Sequence, residues 1–354
     1  DGKSVIWHSP VSNLPETTPN NQQLYIQNVF SLLYTHALAS EYTQMNDIIT
    51  KMARFQQKNG GASLPSPVRI KAETIYNRVP FATILFIFNL SIGFATMILA
   101  IRSLCRNFPK QAGQIQTYRV RNILTAAAMT LSFLALSTCL ALRWIISGTV
   151  PMSDGYETML LAAWLVMLLS LMFCRLIPFL IPCGMLTSGF FLLVSHINSM
   201  DPQITHIMPV LNSPLLCIHV SVIMTGFAML ALTFVCSVTA IALHLTRRNA
   251  QQQTSMLQLL SRLFLYPALA ALAIGIFTGA VWAGISWGRY WSWDPKEVWA
   301  LITFMVYAIA VHSYSLPWLR KPMHYHMFMT SAFLCIIMTY FGVNYVLGGM
   351  HSYA

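Results

Sequence analysis

Ten histidines and nine tryptophans carry most of the chemistry this 354-residue chain can offer. Trp282, Trp287, Trp291, Trp293 and Trp299 all fall within one stretch, WAGISWGRYWSWDPKEVW, with Tyr290 among them. An interfacial belt needs one or two rings per helix end. This density suits a flat aromatic platform for a large planar ligand, with the belt as the alternative. Asp294 fits an N-cap, Pro295 the first helical position and Glu297 the third residue of a capping box, so the platform runs into a defined helix. His219, in Cys217-Ile218-His219-Val220, precedes the stretch, and His351, in Gly349-Met350-His351-Ser352, follows it. Two neutral imidazoles beside an aromatic wall can hold a haem iron. That chemistry needs elements that bring three distant stretches to one level.

Those elements are membrane spans. Only 9% of residues are charged, 56% are hydrophobic and the mean hydropathy is +0.59, which is the composition of an integral membrane protein. Eight spans are expected, at 80–101, 122–146, 157–173, 176–196, 214–245, 263–286, 297–318 and 325–346, each near the roughly 20 residues that cross the hydrocarbon. The fold class is therefore all-α, a polytopic bundle in membrane lipid. With the 247–262 loop inside, the inner loops hold Arg102, Arg106, Lys110, Arg119, Arg121, Arg175, Arg247, Arg248, Arg262, Arg320 and Lys321. The outer loops hold Arg143, Arg289 and Lys296. This is a positive-inside asymmetry, and it puts His219, His351, the Trp-rich stretch and both termini on the outer side. The net charge of +11 is then largely topogenic, and no nucleic-acid partner is inferred from it. Residues 1–79 are polar, with helical patterns over 21–58 and 68–77. The chain opens at Asp1 rather than Met, and it reads as the later part of a longer polypeptide.

His312 is expected inside the seventh span, roughly 12 Å from its inner end. A titratable group there is a functional candidate, with a packed core histidine as the alternative. His244 is a weaker intramembrane candidate. His324 and His326, beside Arg320 and Lys321, read as headgroup contacts, while His196 and His206 border the outer 197–213 loop. His8 and His36 carry no evident chemistry. Pro151-Met152-Ser153-Asp154-Gly155-Tyr156-Glu157-Thr158 reads as a turn and helix cap. The seven cysteines include no CxxC pair, which excludes a disulfide framework and a thiol-redox carrier. Phosphate loop, Ser-His-Asp arrangement and zinc-protease helix are absent from the sequence. The capping role accounts for Asp294 and Glu297, so no catalytic residue of the chain's own is assigned. A multi-span scaffold without cofactor is the competing class.

Three groups of residues carry a family resemblance. WAGISWGRYWSWDPKEVWA resembles the "WWD" signature of the haem-handling proteins of cytochrome c maturation. FGVNYVLGGMHSYA and PMSDGYET resemble further motifs of the CcsA (ResC) proteins of the System II cytochrome c synthase. The resemblance covers residues 120–354. It implies that His219 and His351 ligate the iron of an outer haem, with Trp282, Trp287, Trp291, Trp293 and Asp294 at the cofactor. It implies that His312 ligates an intramembrane haem whose second ligand lies outside this chain. Residues 1–79 resemble the tail of an extracytoplasmic CcsB (ResB) domain and 80–101 its last span, as in a CcsB–CcsA fusion. The implied role is export of haem b across the bacterial inner membrane and its thioether attachment to the CxxCH motif of apocytochrome c. The alternative is a haem transporter or chaperone that hands haem to a separate ligation protein.

Overall fold

The computed structural model describes residues 18–61, 64–105, 112–152, 154–197, 203–204, 213–246, 250–313 and 315–347. They divide into two compact units, Asp1–Lys71 and Ala72–Ala354. In the first, α1 (Asn20–Leu38) and α2 (Tyr42–Gly60) fold back on each other, with the Tyr25 and Phe55 rings 5.6 Å apart. The single helical pattern expected over 21–58 is broken at Ser40, whose φ of 57° lies in the left-handed region. A third helix, α3 (Pro67–Arg78), stops just before Pro80.

The second unit contains α4 (Phe81–Cys105), α5 (Ala112–Ser147), α6 (Gly155–Phe173), α7 (Leu180–His196), α8 (Pro214–Thr246), α9 (Gln251–Trp287), α10 (Pro295–Val311), α11 (Pro317–Arg320) and α12 (Pro322–Ile337). A π-helical segment, Met338–Leu347, continues α12. No strand occurs among the described residues. Six helices are long and apolar enough to cross a membrane, and the chain is an all-α integral membrane protein. Helices α7 and α10, at 17 residues each, are shorter than a full span. The centre is built on α6, where Leu160, Ala162, Ala163, Val166 and Met167 are all buried.

Three expected boundaries are corrected. Residues 251–262 are the first three turns of α9, not part of a loop, and the 37-residue helix is about 55 Å long. Helix α5 likewise takes in Arg119 and Arg121, which were expected in a loop. The seventh span ends at Val311 instead of 318, because a turn at His312–Leu316 leads to Pro317, which starts a new helix and biases Leu316 away from helical backbone.

Glycines set how closely α4 and α7 approach. A Cβ on Gly93 would sit 2.8 Å from the Leu186 backbone nitrogen, and one on Gly189 would sit 2.9 Å from that of Leu90. Small residues at such crossings let two backbones pack directly. Alanine ordinarily stabilises a helix by about 1 kcal/mol relative to glycine. Gly93→Ala and Gly189→Ala are expected to do the reverse here and lower the melting temperature of the detergent-solubilised protein. A rise in either variant would contradict this crossing.

Candidate functional site

The Trp-rich stretch straddles the end of α9 and the start of α10. Helix α9 stops at Gly288, whose φ of 74° gives the left-handed C-cap, with its N–H donating to the Gly284 carbonyl. Tyr290 folds back onto Gly284, where a Cβ would meet its ring at 2.6 Å. Trp282 is buried and meets Trp287 edge to face at 4.8 Å, while Trp291 and Trp293 lie perpendicular at 6.1 Å. Trp293 adopts a φ of 60° and is 74% exposed. A bulky residue held in that region stores backbone strain of about 1–3 kcal/mol, and such strain concentrates at ligand sites. The helix start has the expected capping box. The buried Asp294 carboxylate accepts from the Lys296 backbone N–H at 3.1 Å, and Glu297 Oε2 accepts from the N–H groups of Ser292 (2.9 Å) and Asp294 (3.3 Å). Lys296 Nζ donates to Asn344 Oδ1 at 2.9 Å, joining this turn to the π-helical segment.

His219 lies against α9 in the same region. Its Nδ1 is 2.7 Å from the Gly275 carbonyl, so Nδ1 carries the proton and Nε2 the lone pair. Its ring occupies the space a Cβ on Gly279 would fill, at 2.5 Å. A backbone carbonyl behind one imidazole nitrogen is the arrangement that orients the other toward a metal. His351 lies outside the described residues, as do Ser153 and His206.

The turn Pro151–Thr158 holds more than a cap. Asp154 does cap α6, accepting from the Glu157 N–H at 2.7 Å. Sequence reasoning placed Arg143 in an outer loop, but it is wholly buried on α5. Its Nε and Nη2 reach Glu157 Oε1 at 2.9 and 2.8 Å, Nη1 donates to the Tyr76 hydroxyl at 2.7 Å, and Asp154 is 3.8 Å away. The guanidinium also lies 5.0 Å from the centre of the Tyr156 ring. The sequence signal for this cluster was a lone arginine fourteen residues from a lone glutamate, each near an apolar run.

At the opposite ends of these helices the expectations change. His312 is the C-cap of α10, exposed on the surface of the chain, and not two turns inside a span. The adjoining Ser313 accepts from Arg262 Nη2 at 3.1 Å. His326 is not a headgroup contact. It is fully buried, with Nδ1 3.1 Å from Ser237 Oγ and Nε2 3.0 Å from the Thr254 carbonyl. Both of its ring nitrogens are thus engaged within the bundle. His244 and His196 are exposed, and His196 Nδ1 lies 3.2 Å from Thr83 Oγ1.

The family profile described as cytochrome C assembly protein matches residues 152–351. Protein NrfI of Wolinella succinogenes is 34% identical over 333 residues, covering 92% of this chain and 36% of its own length. The chain thus spans about a third of that relative. Cytochrome c biogenesis protein CcsA of Chlamydomonas reinhardtii is 33% identical, with 64% of this chain and 67% of the relative aligned. The CcsA of Prochlorococcus marinus is 30% identical over 74% of this chain and 93% of the relative.

Titration of Asp154 tests the Arg143 cluster. Burial pushes its carboxyl up to about 6, Glu157 adds to the rise, and its backbone hydrogen bonds and Arg143 oppose it. The side chain keeps 36% of its surface, so solvent screens part of the effect. A folded pKa raised above the unfolded value contributes stability below the unfolded pKa that is lost as pH rises through about 6. Asp154→Asn, which can still cap α6, is therefore expected to raise the melting temperature relative to wild type at pH 7.5 and to lose that advantage near pH 4.5. An advantage that grows on acidification would contradict the assignment.

Proposed function

The chain belongs to the cytochrome C assembly protein family, and from that premise we propose that it carries haem to the outer face of the membrane and joins it to the CxxCH motif of an apocytochrome c. The observation that carries this reading is His219, set by the Gly275 carbonyl with Nε2 as its ligand atom, on the helix packed against the one that ends in the Trp-rich loop. Among the described residues no three His, Cys, Asp or Glu side chains converge as a metal site. Haem iron needs no such cluster, since the macrocycle brings four ligands and the protein supplies one or two. His219 and His351 are the proposed ligands at the outer site, with Trp282, Trp287, Trp291, Trp293 and Asp294 around it. His312 is the proposed ligand of a second haem, whose other ligand comes from a CcsB-like portion.

Haem b, the cargo, supplies two vinyl groups, each of which takes one substrate S–H across its double bond and becomes a thioether without net oxidation. The reacting thiols belong to the apocytochrome, so the chain needs no reactive cysteine, in keeping with its buried and half-buried thiols. Its own residues orient the cargo, exclude water and hold the iron until the substrate histidine replaces one imidazole. Orientation rests on charge. With Arg143 set aside as a buried ion-pair partner, and Arg119, Arg121 and Arg262 as parts of α5 and α9, the loop and flanking cations still stand at eight inside against two outside. Residues 1–101 are read as the end of a CcsB-like part; the match to NrfI takes in 92% of the chain, against 64% and 74% for the Chlamydomonas and Prochlorococcus CcsA proteins.

The protein purified in mild detergent is expected to show the Soret and α/β bands of low-spin haem with two imidazole ligands. His219→Ala is expected to lose that signature and to regain it with added imidazole. His312→Ala is expected to lower co-purified haem. A wild-type protein without a Soret band would overturn the proposal, and an unaltered spectrum in His219→Ala would remove that ligand.

A further inference from the structure

The Arg143–Glu157 pair lies outside the haem ligands and the Trp-rich loop, yet the turn it fixes touches both elements that lead to the outer ligands. On one side, Ser221 Oγ lies 3.2 Å from Met152 Sδ, and Ser221 is two residues from His219 on α8. On the other, the Tyr340 hydroxyl donates to the Gly155 carbonyl at 2.9 Å and pairs with the Thr158 hydroxyl at 2.9 Å. Tyr340 belongs to the π-helical segment, eleven residues before His351. That segment is held from its other flank as well, where Thr339 Oγ1 lies 2.9 Å from Thr303 Oγ1 and Lys296 reaches Asn344. A ten-residue π-helix is a wide and costly backbone form that persists only where its surroundings impose it. The turn itself has one stiff anchor, since Arg143 ties α5 to Glu157 in the first turn of α6 and to Tyr76 of α3.

We propose that Arg143, Glu157 and Tyr340 are positioning residues of the outer haem site, setting through the turn 152–158 the separation between the helix of His219 and the segment leading to His351. This rests on the haem reading above. None of the three need touch haem or substrate. The ion pair fixes the turn, and the turn fixes the two helical segments.

Tyr340→Phe keeps the ring and removes only the hydroxyl. It is expected to leave the melting temperature and helical circular dichroism at wild-type values, while the haem retained with two imidazole ligands falls about tenfold, the low end for losing an outer-shell partner of a metal. Added imidazole is expected to restore the low-spin spectrum. Glu157→Gln is expected to show the same imidazole-dependent recovery together with a lower melting temperature. Wild-type spectra and haem reduction potentials in both variants would overturn this inference and leave the haem reading standing. Haem loss that follows loss of fold and does not respond to imidazole would also overturn it, by assigning these residues to stability alone. A wild-type protein without haem would remove the reading on which it depends.

Discussion

A guanidinium taken out of water must be met by charge, and the end of the bundle that carries the Trp-rich loop is built around one such group. Arg143 is wholly buried and reaches Glu157, the Tyr76 hydroxyl and, more distantly, Asp154. Removing one member of a buried pair of this kind costs about 3–5 kcal/mol, because the remaining charge is left uncompensated. The close of α5 and the start of α6 are therefore held at one spacing. Tyr340 bonds to Gly155 at that start, and Ser221 meets Met152.

The Trp-rich loop is fixed in a different way, by its two ends. Gly288 closes α9 in a conformation that favours glycine, and the Asp294–Glu297 capping box opens α10. Between them only five residues remain, and the left-handed backbone of Trp293 shows what that short span imposes. The loop presents exposed Tyr290 and Trp293 beside the buried Trp282. A rigid aromatic surface of this kind suits a flat ligand held in one pose.

Much of this was legible from residue order. The apolar runs and their lengths placed the helices, and Asp294-Pro295-Lys296-Glu297 announced its helix start correctly, because caps are local chemistry. What was hidden depends on pairing across the fold. Arg143 resembled an outer-loop cation and His326 a headgroup contact, since charge and proximity to Arg320 and Lys321 carry no mark of burial. Arg143 found Glu157 and Tyr76, and His326 found Ser237 and Thr254, on other helices. The ends of α9 and α10 were missed for a related reason. Gln251–Arg262 is polar enough to read as a loop, yet packing on α8 and α12 carries the helix through it, while Pro317 stops α10 short. His312 accordingly stands exposed at a helix end.

Family membership, an oriented His219 and a clamped end of the bundle beside the Trp-rich loop meet in the proposed role, in which haem is held for covalent transfer. The most direct measurement is co-expression of the protein, together with a CcsB-like protein, and a CxxCH apocytochrome c, followed by a haem stain after denaturing electrophoresis. Stain that migrates with the cytochrome and withstands denaturation is expected. Haem that co-purifies with the protein but never becomes covalently bound to the cytochrome would contradict it and leave the chain as a carrier.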